Sequence, residues 1–557
     1  MAPFSGHVVE IERGAEEPRF ATGTNRNNMI TAERAASVCL GARYSLDWRS
    51  IPTCEFDLRR ALSTSANVAG IAAFHALLLP IPCAAQFAII SNQASLIAEE
   101  ALQNQPSPPP AAPLPTFLPL FNRRIRVAVL RGSANSNVER LAALLSLDTS
   151  RFSVRLFSTA LDAHSLSSLT ESAAHTSLRG LSDVVAARLL SGFDAILDAS
   201  GHTAGNRLGA LALRPAPVAA SVLGFPGSYG GGRLVDYLTT DRVVMAPHAC
   251  SRCAAKLERL SMLPHTYQVS PAAVSASVGA SGRGNRGDVE ITSGRRASSL
   301  LLASFTRAVR WHPESLGLWS HILLRTSTAV SASTALWLLA DSDDERFKAR
   351  AELASSGISS ARILFSEFQP DKAAHLKRHA HLAGETSLVR PSSQDPSCHL
   401  AARTGPHAQG SGMGPLRHWR AAQPLTGALF EISPRLRSSA CVDTTPLYGS
   451  HTTAADALGA GAPLLTLPAD AWASRVGMSV ALSIGAPEMV AYSSRGLVDF
   501  TAALLVRMER STRRGSNEGN SNPSPGKRLK GLWHGSWTRR AIGLDPKSAA
   551  HSQRYRL

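Results

Sequence analysis

The chain has 557 residues, 44% of them hydrophobic and 18% charged. That length and composition leave room for roughly two to four domains with real cores, and they exclude a small disulfide-stapled peptide. The formal net charge of +17 is scattered, and its densest runs (around Arg123, Arg124 and Arg126, and from Arg513 to Arg540) lack an interleaved aromatic stripe, so no nucleic-acid partner is expected.

Residues 1–40 are weakly patterned, and Glu10, Glu12, Glu16 and Glu17 precede any apolar run, so no signal peptide is read there. Residues 41–105 read as a helical region, with helices expected at 56–61 and 68–79. The run 68–90 is apolar enough to suggest a membrane span. However, His75, Pro80, Pro82 and Gln86 break it into short pieces, and a buried helix pair with no membrane contact is expected instead. A stiff Pro-rich linker follows over 106–120.

From 121 to 269 strands and helices alternate. Strands are expected at 125–130, 152–157, 194–198 and 218–224, and helices at 138–147 and 184–190. This is the rhythm of a parallel, doubly wound α/β sheet. Residues 270–297 are rich in Ser, Gly and Arg and read as a linker. A second α/β unit is expected over 298–510, with strands at 300–305, 335–339, 363–365, 441–444 and 463–467. Its helices are expected at 313–324, 349–355, 372–381 and 473–482. Between 384 and 440 periodicity stops, an unusual length for a loop inside a compact unit. Residues 511–557 read as a basic, disordered tail.

Seven widely spaced cysteines suggest a reducing compartment rather than a disulfide framework. Cys250 and Cys253 form a CxxC near His248, but no second half-site follows at zinc spacing, so no metal is expected. Ligands of parallel sheets gather beyond the carboxyl ends of the strands. The loops there are Gly201-His202-Thr203, 224–230, 306–310, 372–378 and 449–453. The last of these runs Gly449-Ser450-His451-Thr452-Thr453 into a helical stretch. A helix N-terminus with two hydroxyls and an imidazole suits a diphosphate, and Asp456, one turn on, suits ribose hydroxyls. An ordinary N-capped helix is the plain alternative.

Taken in order, several segments resemble the catalytic region of the protein O-GlcNAc transferases. Asp47-Trp48-Arg49 and 74–80 resemble the helical stretch before that region. Ser200-Gly-His-Thr-Ala-Gly-Asn-Arg207, Leu213-Arg-Pro-Ala-Pro-Val218, Leu223-Gly-Phe-Pro-Gly-Ser228, Asp236-Tyr237 and Leu263-Pro-His-Thr-Tyr267 resemble its first lobe. Ser304-Phe305, Leu336-Trp-Leu-Leu339, Arg362-Ile-Leu-Phe-Ser366, 447–456, Leu465-Thr-Leu-Pro468 and Ala473-Ser-Arg-Val476 resemble its second lobe.

The resemblance implies a GT-B fold, in which two Rossmann-like lobes face a cleft. It also implies an inverting, metal-independent transfer of N-acetylglucosamine from UDP-GlcNAc to Ser or Thr hydroxyls of proteins, in the cytoplasm and/or nucleus. Carried over, His451, Thr452, Thr453 and Arg307 would bind the UDP diphosphate side, and Asp456 the ribose. Lys372, His375 and Arg378 would surround uridine. Thr203, Leu223, Gly224 and Pro226 would line the sugar pocket, and Arg310 and His202 would be catalytic. No cofactor beyond the donor is implied.

The chain departs from the family's pattern in four places. The first βα loop, Arg131-Gly-Ser-Ala-Asn-Ser-Asn137, has no histidine. Arg310 stands where a lysine is usual and Arg307 where a glutamine is. The 384–440 stretch separates segments that are nearly adjacent in the family. Tetratricopeptide repeats before residue 45 and the family's C-terminal helices are not read. These departures keep two alternatives open: a related O-fucosyltransferase using GDP-fucose, and a nucleotide-binding homologue without catalysis.

Overall fold

The computed structural model describes residues 31–64, 70–104, 123–132, 148–159, 174–245, 258–269, 300–329, 334–369, 372–383, 439–459 and 462–517. The chain opens with helices α1 (Ala32–Tyr44), α2 (Ser50–Thr64), α3 (Ala73–Ala76) and α4 (Cys83–Gln103). The Thr31 hydroxyl accepts the Arg34 N–H and caps α1. Pro80 and Pro82 break the apolar run between α3 and α4, and no described helix is long and apolar enough to cross a membrane.

A first α/β unit contains β1 (Ile125–Arg131), β2 (Phe152–Ser158), β3 (Ala174–Ser177), α5 (Asp183–Leu190), β4 (Ala195–Asp198), α6 (Leu208–Ala212), β5 (Val218–Ser221), β6 (Tyr237–Asp241) and β7 (Arg259–Leu263). Its seven strands are all parallel, in the order β3-β2-β1-β4-β5-β6-β7. A second unit contains β8 (Leu300–Ser304), α7 (Pro313–Ala329), β9 (Thr334–Leu339), α8 (Asp343–Ser355), β10 (Ile363–Ser366), α9 (Lys372–Ala383), β11 (Ser439–Asp443), α10 (Thr452–Gly459), β12 (Leu464–Thr466), α11 (Val476–Ser483) and α12 (Ser494–Asn517). Its five parallel strands run β10-β9-β8-β11-β12.

Both orders start at an inner strand, wind outward on one side, then return to wind on the other. Each sheet therefore has one point where the direction reverses, between β1 and β4 in the first and between β8 and β11 in the second. In open parallel sheets ligands bind at that crevice. The strands are apolar because helices cover both faces; every residue of β9 is buried. α8 starts with a reciprocal cap between Ser342 and Glu345 and has Asp343 and Asp344 in its first turn.

The N-terminal helices straddle both units. Ile51, Leu58 and Ala36 of α1 and α2 share a core with Trp311, Trp319, Leu336 and Leu505 of the second unit. Ala94 and Ala101 of α4 pack instead with Ala128, Leu190 and Leu211 of the first. A smaller cluster joins all three parts: Ala73 and Ile90, Phe225 of the first unit, and Tyr448 and Ala473 of the second. Buried polar bonds also cross between units. The Ser479 hydroxyl donates to Asp241 at 2.7 Å, and Arg475 donates to the Val243 carbonyl at 2.8 Å.

The strand and helix expectations in both units meet elements at nearly the same places, with differences of a few residues. Three strands, β3, β6 and β7, were not expected. The expected helix at 473–482 is a short 3-10 turn, Trp472–Ser474, followed by α11. α12 carries the chain as helix through Asn517, into the stretch read as a disordered tail. The helix expected at 138–147, the two linkers and all but the end of the 384–440 stretch lie outside the described residues. Cys39, Cys54 and Cys441 are free and buried, whereas Cys83 is disulfide-bonded, so the expectation drawn from cysteine spacing does not cover that residue.

Candidate active site

The loops after β8 and β11 meet at the reversal point of the second sheet. After β8 a 3-10 turn, Ala308–Arg310, projects Arg310. After β11 the chain turns back on itself before α10. Asp443, at the end of β11, orders that turn by accepting the Ser450 N–H at 2.9 Å and the Thr445 hydroxyl at 3.2 Å. A side chain at Gly449 or Gly477 would meet the same carboxylate, so both approaches need glycine.

The Arg310 guanidinium lies over the face of Tyr448, 3.8 Å from the ring centroid. Tyr448 in turn stacks on His451, with centroids 4.7 Å apart and an interplanar angle of 18°. Arginine, phenol and imidazole thus form three layers at the N-terminus of α10. A buried cation–π contact of this kind contributes on the order of 1–2 kcal/mol. Burial lowers the pKa of Arg310 from its ordinary value, with Tyr448 and Asp443 opposing the shift.

His451 engages one of its two ring nitrogens within the protein. Its Nε2 lies 2.8 Å from the Ala473 carbonyl, which can only accept, so Nε2 carries the proton. Burial pushes its pKa down to about 3, with Arg310 adding to the shift. The imidazole is therefore neutral, and the His451 backbone carbonyl accepts from Ala455 N at the first turn of α10. Thr452 and Thr453 open that helix, at the positive end of its dipole.

Asp456 is buried on α10, and His375 Nε2 of α9 lies 3.3 Å from its Oδ2. The structure brings together two residues expected in the same pocket, but pairs them with each other. Arg378 is turned toward β10: it donates to the Glu367 carbonyl at 2.7 Å and lies over the Phe305 ring at 5.3 Å. Lys372 begins α9, and its side chain lies outside what is described. Arg307 is set apart and largely exposed, 3.9 Å from Asp341 and stacked over Phe368.

In the first sheet the loop after β4, beside the reversal point, carries His202 and Thr203. Asp198 anchors it by accepting the Gly201 N–H at 2.7 Å and the Tyr229 hydroxyl at 2.8 Å. His202 Nε2 lies 3.1 Å from the Tyr229 carbonyl and so carries the proton. Its buried Nδ1 has no partner among the described residues. Burial pushes its pKa down to about 4, against the hydrogen bond to Tyr229. The Thr203 hydroxyl donates to the Ser200 carbonyl within its own turn.

The loop after β5 runs alongside. Leu223 and Gly224 both have positive φ, 55° and 63°. A Cβ at Gly224 would overlap the Ala199 carbonyl, so only glycine fits. The Leu223 side chain packs with Val127 and Val129 in the sheet's core, leaving only its backbone for a ligand. Pro226 is buried. Glu258 fixes the following bend, accepting from Tyr229 N at 2.7 Å and Gly231 N at 3.0 Å.

Sequence reasoning missed Tyr448, Asp443, Asp198 and Glu258, which position the expected residues. Only the apolar-aromatic context of Tyr448, one residue before the Gly-Ser turn, hinted at any of them. A cavity of about 520 Å³, lined by Ile97, Glu100, Ser182 and Asn206, lies between α4, α5 and the far end of the loop after β4. The Cys250–Cys253 pair lies outside the described residues.

Comparison with known proteins places the chain in context. Residues 173–274 and 435–513 match the profile of glycosyl transferase family 41. A probable UDP-N-acetylglucosamine–peptide N-acetylglucosaminyltransferase, SEC of Arabidopsis thaliana, is 25% identical over 292 residues, covering 52% of this chain and 23% of that protein. The rice protein SPINDLY (Oryza sativa subsp. japonica), described by the same activity, is 23% identical over 313 residues, 56% of this chain and 26% of that protein. The chain thus spans about a quarter of the length of these two relatives. A solved mutant of the Thermobaculum terrenum O-GlcNAc transferase superposes with a TM-score of 0.54 at 17% identity, covering 94% of this chain and 86% of that one. That likeness shows the fold: two facing Rossmann-like lobes of the GT-B type.

Proposed function

We propose that this chain, whose residues 173–274 and 435–513 match the glycosyl transferase family 41 profile, transfers N-acetylglucosamine from UDP-GlcNAc to Ser or Thr hydroxyls of proteins. The observation that carries the proposal is the Arg310–Tyr448–His451 stack at the N-terminus of α10, at the reversal point of the second sheet. When the acceptor oxygen attacks the sugar's anomeric carbon, the bond to the diphosphate breaks and negative charge builds on the leaving UDP. The N–H groups at the start of α10, the Thr452 and Thr453 hydroxyls and the Arg310 cation meet that charge without needing a metal.

In this reading Asp456 takes ribose hydroxyls, with His375 beside it, and Lys372 and Arg378 flank uridine. Arg307 adds charge at the rim. The Gly224 backbone, flanked by Leu223 and Pro226, approaches the sugar, with Thr203 alongside. The Nδ1 lone pair of neutral His202 accepts a hydrogen bond from a hydroxyl. A cytoplasmic and/or nuclear setting, with protein acceptors, belongs to the same proposal.

A second reading, a homologue that binds nucleotide without transfer, is favoured by one observation: His202 has a pKa near 4 and is a weak proton acceptor at neutral pH. Calorimetric titration with UDP and GDP, followed by labelled UDP-GlcNAc with a Ser/Thr peptide library, separates the cases. UDP binding with peptide labelling is expected. UDP binding without labelling would favour the second reading, GDP preference the fucosyl donor, and no nucleotide binding would overturn all three.

A further inference from the structure

We infer that Glu55 is a positioning residue for Arg310, acting through His312. Glu55 lies on α2, far in sequence from the second lobe, yet it is buried with three basic partners, of which Arg59 is the exposed one. Arg43 of α1, only 2% exposed, forms an ion pair with Glu55 Oε1. His312 Nε2 approaches the same oxygen at 3.4 Å.

The ring of His312 is fixed at both nitrogens. Its Nδ1 lies 3.2 Å from the Glu314 N–H and accepts it, capping the start of α7. Nδ1 is therefore unprotonated, and Nε2, the nitrogen that carries the hydrogen, is the one 3.4 Å from Glu55. The His312 carbonyl also accepts from Leu316 N at 3.1 Å. Two residues upstream is Arg310, in a turn closed by its own N–H to the Arg307 carbonyl at 2.9 Å and by Trp311 N to Ala308 at 2.8 Å.

α1 packs directly on that turn, and Ala308 and Trp311 lie in one core with Ile51 and Leu58 of α2. The turn is thus held by apolar contact on one side and by the Glu55–His312 contact at its end. Slippage of the turn would carry His312 away from the Glu55 carboxylate, which Arg43 holds in place, so the lost contact adds to the cost of breaking the apolar packing. Movement of the turn would lift the guanidinium off Tyr448.

The inference rests on the reading of Arg310 as a diphosphate ligand, and a mutant cycle read by UDP titration of the full chain tests it. His312→Asn keeps an oxygen able to cap α7 but is too short to reach Glu55. The expected result is a loss of UDP affinity of about fivefold from His312→Asn alone, and of less than about 1.5-fold in an Arg310→Gln background, the pattern of two residues acting through one another. Arg59→Ala, which removes only an exposed contact to Glu55, should leave affinity unchanged. Equal losses in both backgrounds, or a folded His312→Asn with unaltered affinity, would overturn the inference while leaving the transferase reading intact. If His312→Asn fails to fold by circular dichroism, the same cycle with Glu55→Gln is read by the same criteria. No UDP binding by the unmutated chain would bring down both.

Discussion

At the scale of single residues, Arg310 is the cation on which the leaving-group argument turns. A charge-assisted hydrogen bond contributes about 1.5–3 kcal/mol, so Arg310→Ala should weaken UDP binding about 10- to 100-fold in calorimetric titration; a change under threefold would remove it from the site. The two buried histidines make a pH prediction. His451 and His202 have folded pKa values of about 3 and about 4, below the ordinary 6.5. The unfolded chain therefore takes up their protons first. Their contribution is complete above pH 6.5 and is lost as pH falls toward the folded values, each at about 1.4 kcal/mol per pH unit. Urea unfolding between pH 7 and 4.5 should show this slope, and His202→Gln should flatten it by about one histidine's share. Gly224→Ala should destabilise by about 2–4 kcal/mol, because it combines a positive φ with overlap on the Ala199 carbonyl; a smaller loss would mean that the loop can relax.

Among the elements, β11 and α10 depend on the turn between them, and that turn depends on Asp443. Asp443→Ala would strand the buried Ser450 N–H, at about 1–3 kcal/mol, whereas the Thr445 hydroxyl keeps the Tyr448 carbonyl at 2.7 Å. Loss of UDP binding is expected to accompany the loss of stability, since the start of α10 would no longer be held. Retained affinity in a folded variant would separate the turn from the site. Here the difference between what sequence and structure reveal has a physical cause. The long apolar runs of β1, β8 and β9 are legible because a strand buried on both faces must be apolar throughout. β3 reads Ala-His-Thr-Ser and β6 Tyr-Leu-Thr-Thr-Asp, too short and polar to announce themselves. The Thr452–Thr453 helix start is legible from a local motif. The role of the His451 ring is not, because its partner Ala473 lies 22 positions on and reaches it only through the fold. The Arg310–Tyr448 stack is hidden for the same reason, its members sitting on two loops joined only by strand pairing.

For the whole molecule, the N-terminal helices matter as much as the lobes. α1 and α2 complete the core of one lobe, α4 that of the other, and Ser479 and Asp241 bond across between them. Neither lobe owns its full core, so calorimetric unfolding should give one transition that shifts upward with UDP. Two resolved transitions would show that the lobes fold independently. The order of strands in the second sheet has another consequence, one of timing. β11 pairs directly with β8, yet about 135 residues separate their facing ends. At 5–20 residues per second, a ribosome takes roughly 7 to 27 s to deliver the missing neighbour. During that interval one side of β8 presents unpaired backbone groups on an apolar strand, an invitation to pair with another chain. Soluble yield should therefore depend on how fast the second half of this chain is translated, and on whether a chaperone shields β8 while it waits.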